Sequence, residues 1–191
     1  MTGRRPLVPP QRLAADGLVV RRLTVADAAA VADAVTASLD HLRPWMPWAT
    51  EEAATVAAQR ARLAGPAGRW TRTSDYSYGM FTPTGLLVGA AGLMRRPGPG
   101  ALEIGYWAHV DHGGQGYVTA AAGVLTVAGL AVAGVDRVEI HCDVANRRSA
   151  AIPARLGYRL AGVVDHAPEA PAETGRREVW VVEPGWTGPP A

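Results

Sequence analysis

Residues 107–121, Trp-Ala-His-Val-Asp-His-Gly-Gly-Gln-Gly-Tyr-Val-Thr-Ala-Ala, join a strand-like run to an alanine-rich helix through a turn dominated by glycine. The run Leu102–Ala108 enters the turn, and helical residues begin near Tyr117. Such a junction aims several backbone N–H groups and the positive end of a helix dipole at one point. Its natural occupant is an anion, a pyrophosphate above all. Gly113, Gly114 and Gly116 allow close approach of the backbone or positive φ. Taken alone, the same glycines also fit a tight turn that merely closes a strand–helix unit. The flanking sequence decides between these readings.

The chain has 191 residues, enough for one domain with a sizeable core. A hydrophobic share of 48% against 19% charged residues fits a folded protein and excludes a disordered one. All 19 basic residues are arginine, yet the formal net charge is only +2. The pairs Arg21-Arg22, Arg95-Arg96 and Arg147-Arg148 are scattered, whereas a nucleic-acid binder clusters its basic residues on one face. No nucleic-acid partner is expected. The single cysteine, Cys142, excludes an intrachain disulfide and a cysteine-based zinc site, and reads as an inert core thiol. No apolar run is long enough to span a bilayer and no signal-peptide core precedes Asp16, so a cytoplasmic protein without a membrane partner is expected.

Residues 1–15, rich in proline and arginine, are expected to form a flexible tail before a single domain at 16–184, and 185–191 a frayed end. Gly17–Leu23 reads as a strand ending at Thr24, a helix N-cap for 25–39. The segment 42–48 is a rigid loop of prolines and tryptophans, and Thr50 opens a second helix that runs to Leu63. Strands follow at 76–81, 86–94 and 101–108, then a helix at 117–133 and a strand at 137–143. A short helix at 149–156 and strands at 158–164 and 178–182 complete the order βααβββαβαββ. The expected class is α/β (α+β), a mostly antiparallel sheet with one parallel pair where a helix joins 101–108 to 137–143.

That order, with a glycine turn after the fourth expected strand, resembles the GNAT superfamily of acetyl-CoA-dependent N-acetyltransferases, and within it the RimJ/RimL-like branch. Three segments carry the likeness: Leu18-Val-Val-Arg-Arg-Leu with Asp27-Ala and Ser38–Trp48; Glu103–Tyr117; and Arg137–Tyr158. The resemblance implies a sheet whose fourth and fifth strands splay apart, flanked by helices. It implies acetyl-CoA as co-substrate, no metal, and a primary amine as acceptor, either a protein N-terminus or a small molecule. It also leaves a homodimer open. Two positions depart from the family pattern: Gly113 stands where Arg or Gln is usual, and Val118 where Gly or Ala is.

Carried over by position, Tyr106, Trp107 and Ala108 would bind the pantetheine arm, and Gly113, Gly114, Gln115, Gly116, Tyr117, Val118 and Thr119 would cradle the pyrophosphate. Asn146 and Ser149 match the Asn-x-x-Ser of this branch. Asn146 would hold the pantetheine and Ser149 would hydrogen-bond or protonate the leaving thiolate, unless either simply caps the helix. The tyrosine acid usual in many relatives falls on Pro153 and is absent. Glu103 is the candidate base, with His141 and Asp143 next on the substrate side; a solvated or arginine-paired carboxylate is the bland alternative for Glu103. Trp45, Met46 and Trp48 would overhang the acceptor, or else pack between the first two helices. A non-catalytic acyl-CoA-binding module is the rival from another class, motivated by Gly113, Val118 and Pro153.

Overall fold

The computed structural model describes residues 5–188; the expected tail and frayed end at 1–4 and 189–191 lie outside the described residues. Eight strands form one sheet: β1 (Arg12–Ala15), β2 (Leu18–Arg22), β3 (Tyr76–Phe81), β4 (Leu87–Met94), β5 (Ala101–Ala108), β6 (Arg137–Asp143), β7 (Arg159–Asp165) and β8 (Arg176–Val182). Their order is β1-β2-β3-β4-β5-β6-β8-β7. Every neighbouring pair is antiparallel except β5 and β6. The helices are α1 (Ala28–Leu42), α2 (Val56–Ala64), α3 (Tyr117–Ala131) and α4 (Arg147–Arg155).

Alternation along the strands gives the sheet two apolar faces, each covered by helices. On one face Tyr76, Tyr78, Met80, Leu102, Ile104, Val138 and Ile140 pack with Ala121 and Leu125 of α3. On the other, Val31, Val35 and Leu39 of α1 and Leu63 of α2 close over Leu23, Phe81, Leu87 and Ala90. The sheet is therefore buried on both sides at its centre. Its β5–β6 seam opens between the two helical layers.

Part of the expected N-terminal tail is ordered structure. Arg12–Ala15 pairs with Leu18–Arg22 across a turn at Gly17, whose φ is 65°. The prolines upstream lack N–H groups but keep their carbonyls, and these are what bind. Ala133 N–H donates to Pro6 O (2.8 Å), Trp70 Nε1 to Pro9 O (2.9 Å) and the Tyr78 hydroxyl to Pro10 O (2.8 Å). Arg5 donates to the carbonyls of Leu130, Ala131 and Val135, around the C-terminal end of α3. Composition alone concealed these partners because they lie more than sixty residues away.

Further boundaries differ from expectation: the first helix is α1 at 28–42 in place of 25–39, because residues 25–27 form a separate 3-10 turn. The second helix begins at Val56, one turn after Thr50, because Thr55 is the residue whose Oγ1 accepts Ala58 N–H (3.2 Å). Thr50 instead accepts Ala53 N–H in a preceding turn. At the C-terminus, Trp186 is held by Nε1 on Leu156 O (2.9 Å) and sits edge-on to Tyr158, so order extends into the segment expected to fray.

The entry to α1 is fixed by its N-cap Asp27, the last residue of a short 3-10 turn at Val25–Asp27. Its carboxylate takes both guanidinium nitrogens of Arg21 (2.7 and 3.0 Å) and the N–H and hydroxyl of Thr24 (2.8 and 3.0 Å). Burial pushes the Asp27 pKa up, but these hydrogen bonds and the Arg21 charge outweigh it and hold the carboxyl below its ordinary 3.8. The linked stabilisation is complete above that ordinary value and is lost as pH falls through the lower folded one. Asp27→Asn should cost about 1–3 kcal/mol in urea unfolding at pH 7, and the gap to the unsubstituted protein should narrow when the melts are repeated at pH 3.

Candidate active site

β5 and β6 are hydrogen-bonded partners only at Ala101–Glu103 and Arg137–Glu139. Beyond that point the two strands part, so the edges of Ile104–Ala108 and Ile140–Asp143 face a gap instead of each other. A cavity of about 500 Å³ opens there, lined by Tyr106, Trp107, His141, Cys142, Asn146 and Ser149 among others. Unpaired backbone N–H and C=O groups along such a gap need partners. An extended amide-bearing chain laid between the strands supplies them.

At the top of the gap, β5 runs into the glycine turn. Gly114 and Gly116 adopt φ of 76° and 81°, the left-handed region that disfavours side chains. Gly116 is the N-cap of α3 and provides no side-chain cap, leaving the first-turn N–H groups directed outward. Gly113 differs from the other two: its φ is −65°, and an added Cβ would meet only Val110 O at 3.8 Å. A long side chain fits there without strain. Gln115 is tied back to Asp111 O, and Tyr117 and Val118 pack at the rim of the α3-side core. Thr119 lines a second groove with Gly116, Gly123 and Arg155. The turn is anchored to α1 by Val110 N–H donating to the wholly buried Ser38 Oγ (3.0 Å), a partner the sequence did not reveal. His109 Nδ1 accepts Asp111 N–H, which fits a local role.

Ser149 and Asn146 meet the gap from the α4 side. Asn146 is the N-cap: its Oδ1 accepts Ser149 N–H at 3.1 Å, leaving the amide NH₂ to donate elsewhere. Pro153, four residues beyond Ser149, has no N–H to give to Ser149 O, so that carbonyl loses its helical partner. The Tyr106 hydroxyl occupies the vacated position, 3.1 Å from Ser149 O and 3.1 Å from Ser149 Oγ. The proline that removes a helical tyrosine thus admits a phenol from β5. Burial drives the Tyr106 pKa well above the ordinary tyrosine range, and the Ser149 contact only partly offsets it. Cys142, beside them, is pushed up to about 12, first by burial and then by the charge of Glu178.

On the opposite side of the sheet, Glu103 and Glu139 sit side by side on the paired ends of β5 and β6. Glu103 Oε1 accepts Arg96 Nη2 (2.8 Å), and Glu139 Oε1 accepts Arg137 Nε (2.6 Å). His141, two residues along the same face, places Nε2 2.6 Å from Glu139 Oε2 and Nδ1 3.7 Å from Glu103 Oε2. Glu139 was not singled out from sequence. Period-two alternation from His141 was the signal that pointed to it. Asp143, next on that face, is committed to its own chain: it accepts Ala145 N–H, Thr174 N–H and the Thr174 hydroxyl at 2.8–3.0 Å. Burial raises its pKa, but these bonds and nearby His166 outweigh that and leave it lowered. Asp143 thereby pins the 166–175 loop beside the cavity.

The remaining wall is apolar. Trp45, Met46 and Trp48 line the cavity with Trp107, and the rings of Trp48 and Trp107 lie 6.1 Å apart. Met46 also packs against the α1-side core, and Trp48 stays exposed, so the three are divided between packing and the cavity mouth. Arg62, Glu169 and Glu173 reach the same cavity and were not anticipated. Among the described residues, no three His, Cys, Asp or Glu side chains are grouped as a metal site, and no helix is long and apolar enough to cross a membrane.

With this geometry in view, comparison with known proteins gives a consistent picture. No curated protein matches the sequence. Among solved structures, the Vibrio fischeri ribosomal-protein-S5-alanine acetyltransferase superposes with a TM-score of 0.80 at 18% identity, over 92% of this chain and 98% of that one. Mycobacterium smegmatis RimJ, in complex with CoA-disulfide, gives 0.79 at 21%, over 95% and 90%. RimL, a ribosomal L7/L12 alpha-N-protein acetyltransferase carrying a CoA–cysteine disulfide, gives 0.76 at 19%, over 92% and 97%. Such identities establish the shared fold. The sequence itself matches the Acetyltransferase (GNAT) domain family over residues 17–159, and the chain belongs to that family of acetyltransferases.

Proposed function

We propose that the protein transfers the acetyl group of acetyl-CoA to a primary amine by direct attack in a ternary complex, with a protein N-terminus as the favoured acceptor class. The observation that carries this reading is a parting of β5 from β6 that opens a cavity with a polar cluster and an aromatic mouth, with the uncapped N-terminus of α3 following β5. The ribosomal-protein acetyltransferases with the same fold support the acceptor class.

Acetyl-CoA, when bound, supplies an activated acyl thioester. The residues of this chain do the rest. Gly114, Gly116 and the first turn of α3 offer N–H donors and a positive dipole end to the pyrophosphate. The free edge of Tyr106–Ala108 and the Asn146 amide offer hydrogen bonds to the pantetheine, which fixes the thioester relative to the acceptor. The amine nitrogen bonds to the thioester carbon, the carbon–sulfur bond breaks, and the thiolate takes a proton from the Ser149 hydroxyl, which is restored by the proton the nitrogen loses on becoming an amide. Tyr106, held protonated by its burial, backs Ser149 as the next donor. The ammonium form of the acceptor must also shed a proton, and Glu103 and His141 are the acceptors within the cavity. Trp48 and Trp107 bound the acceptor and exclude water.

Calorimetric titration with acetyl-CoA should show one site; absence of binding overturns the reading. Gly116→Ala forces a side chain into positive φ and should weaken acetyl-CoA binding by roughly tenfold, whereas Gly113→Arg should be tolerated and bind a few-fold more tightly. Free thiol released from acetyl-CoA across a panel of peptides and small amines then separates an enzyme from a binding module. On the best acceptor, Ser149→Ala should lower kcat by about a hundredfold, with Tyr106→Phe acting in the same direction. Cys142, with its raised pKa, should resist iodoacetamide at pH 8 in the folded protein and be alkylated readily once the chain is unfolded in urea.

A further inference from the structure

The cluster of Glu103, His141 and Glu139 is built unequally. Glu139 has both oxygens engaged by its own chain, one by Arg137 and one by His141, and its side chain is only 7% exposed. His141 reaches the cavity, with a side chain 17% exposed. The 2.6 Å contact to a carboxylate places a hydrogen on Nε2. In the neutral ring Nδ1 then carries the lone pair. Across from it stands Glu103 Oε2, another acceptor, 3.7 Å away and too far for a direct hydrogen bond. Two acceptors facing one another are satisfied by a third group with several N–H donors. A primary ammonium is such a group.

We propose that His141 is the residue that takes the proton from the acceptor amine, that Glu103 completes the ammonium-binding pair, and that Glu139 is a positioning residue that fixes the imidazole with Nδ1 toward the substrate. This deepens the transferase reading above and rests on it. The ammonium donates to Nδ1 and to Glu103 Oε2. One proton passes to Nδ1, the Nε2 hydrogen stays on Glu139, and the neutral amine keeps the lone pair that attacks the thioester carbon. The imidazole lies between the carboxylates of Glu103 and Glu139, 3.7 and 2.6 Å away. Glu103 shares its charge with Arg96, whereas among the described residues no group donates to Nδ1, so the imidazole is the freer acceptor. The other charged groups on this cavity are Arg96 beside Glu103, Arg62 from α2, Asp75 just before β3, Asp143 on β6, Arg177 from β8, and Glu169 and Glu173 from the loop; Val179 of β8 lies opposite His141 in the sheet. Glu173 is occupied by the N–H groups of Glu169 and Ala170.

The test combines a spectroscopic and a kinetic measurement. Long-range ¹⁵N–¹H correlation spectra of the unsubstituted protein should show His141, assigned by its loss in His141→Gln, as the Nε2–H tautomer; the Nδ1–H tautomer overturns the proposal. Kinetics use acetyl-CoA with peptides beginning in alanine or serine and with aliphatic and aromatic primary amines, followed by thiol release. His141→Gln should lower kcat by about a hundredfold and Glu139→Gln by roughly tenfold, both with the KM for acetyl-CoA unchanged. A kcat within twofold of the unsubstituted enzyme in either variant overturns this inference alone. An unsubstituted protein inert to the whole panel overturns the transferase reading, and this inference falls with it. Should Glu139→Gln fail to fold, the tautomer and His141→Gln decide.

Discussion

The cavity at the centre of the proposed site depends on how little β5 and β6 hold each other. Three residues of parallel pairing, at 101–103 and 137–139, are enough to place the strands side by side. A longer ladder would close the seam and satisfy the backbone internally, leaving no path for a ligand. A shorter one would leave the sheet split between β1–β5 and the β6–β8–β7 half. The paired stretch is also where the charged cluster sits, since Glu103 and Glu139 are register partners. Two carboxylates on adjacent strands are tolerable because each has its own arginine, Arg96 and Arg137, within hydrogen-bond reach. The ion pairs that hold the hinge of the gap thus border the chemistry.

The two sides of the gap divide the labour. The α3–α4 side contributes Tyr106, Cys142, Asn146 and Ser149, neutral groups whose pKa values, where shifted, move upward with burial. The α1–α2 side contributes carboxylates, arginines, a histidine and indole rings. Strand alternation alone produces this separation. Tyr106 and Cys142 point one way, and Glu103, Trp107 and His141 the other, because odd and even positions of a strand face opposite sides of its sheet. On the proposed function, a thioester threaded between the strands would have proton donors behind its sulfur and proton acceptors in front of its carbonyl.

Most of the secondary structure was legible because its signals are local. The glycine turn, the hairpins around Gly85 and Gly100, and the apolar helix after Tyr117 are each specified within a dozen residues. What escaped was specified by distant partners. The strand at 12–15 and the proline-rich segment before it are ordered by Trp70, Tyr78 and the end of α3, none of which a window on residues 1–15 contains. The start of α2 was misplaced by one turn because Thr50 and Thr55 are equally good caps by type, and only packing selects Thr55. At the site, Ser149, Glu103, His141 and the tryptophans line the cavity. The roles inside the cluster were not legible. Whether Asn146 caps its helix, whether Asp143 faces a ligand or holds Thr174, and which glutamate orients His141 are matters of a few ångströms that spacing cannot resolve.

The arrangement around α3 has an electrical consequence. The helix carries no charged residue along its fifteen positions, so its field comes from the peptide units alone. At its far end, Arg5 sits among the last carbonyls and opposes the negative pole. At the near end the cap position is Gly116, which has no side chain to oppose the positive pole. The helix therefore behaves as a half-neutralised dipole whose uncapped end lies about 22 Å from the guanidinium. The fifth residue of the chain takes part in making the molecule's electrostatics one-ended.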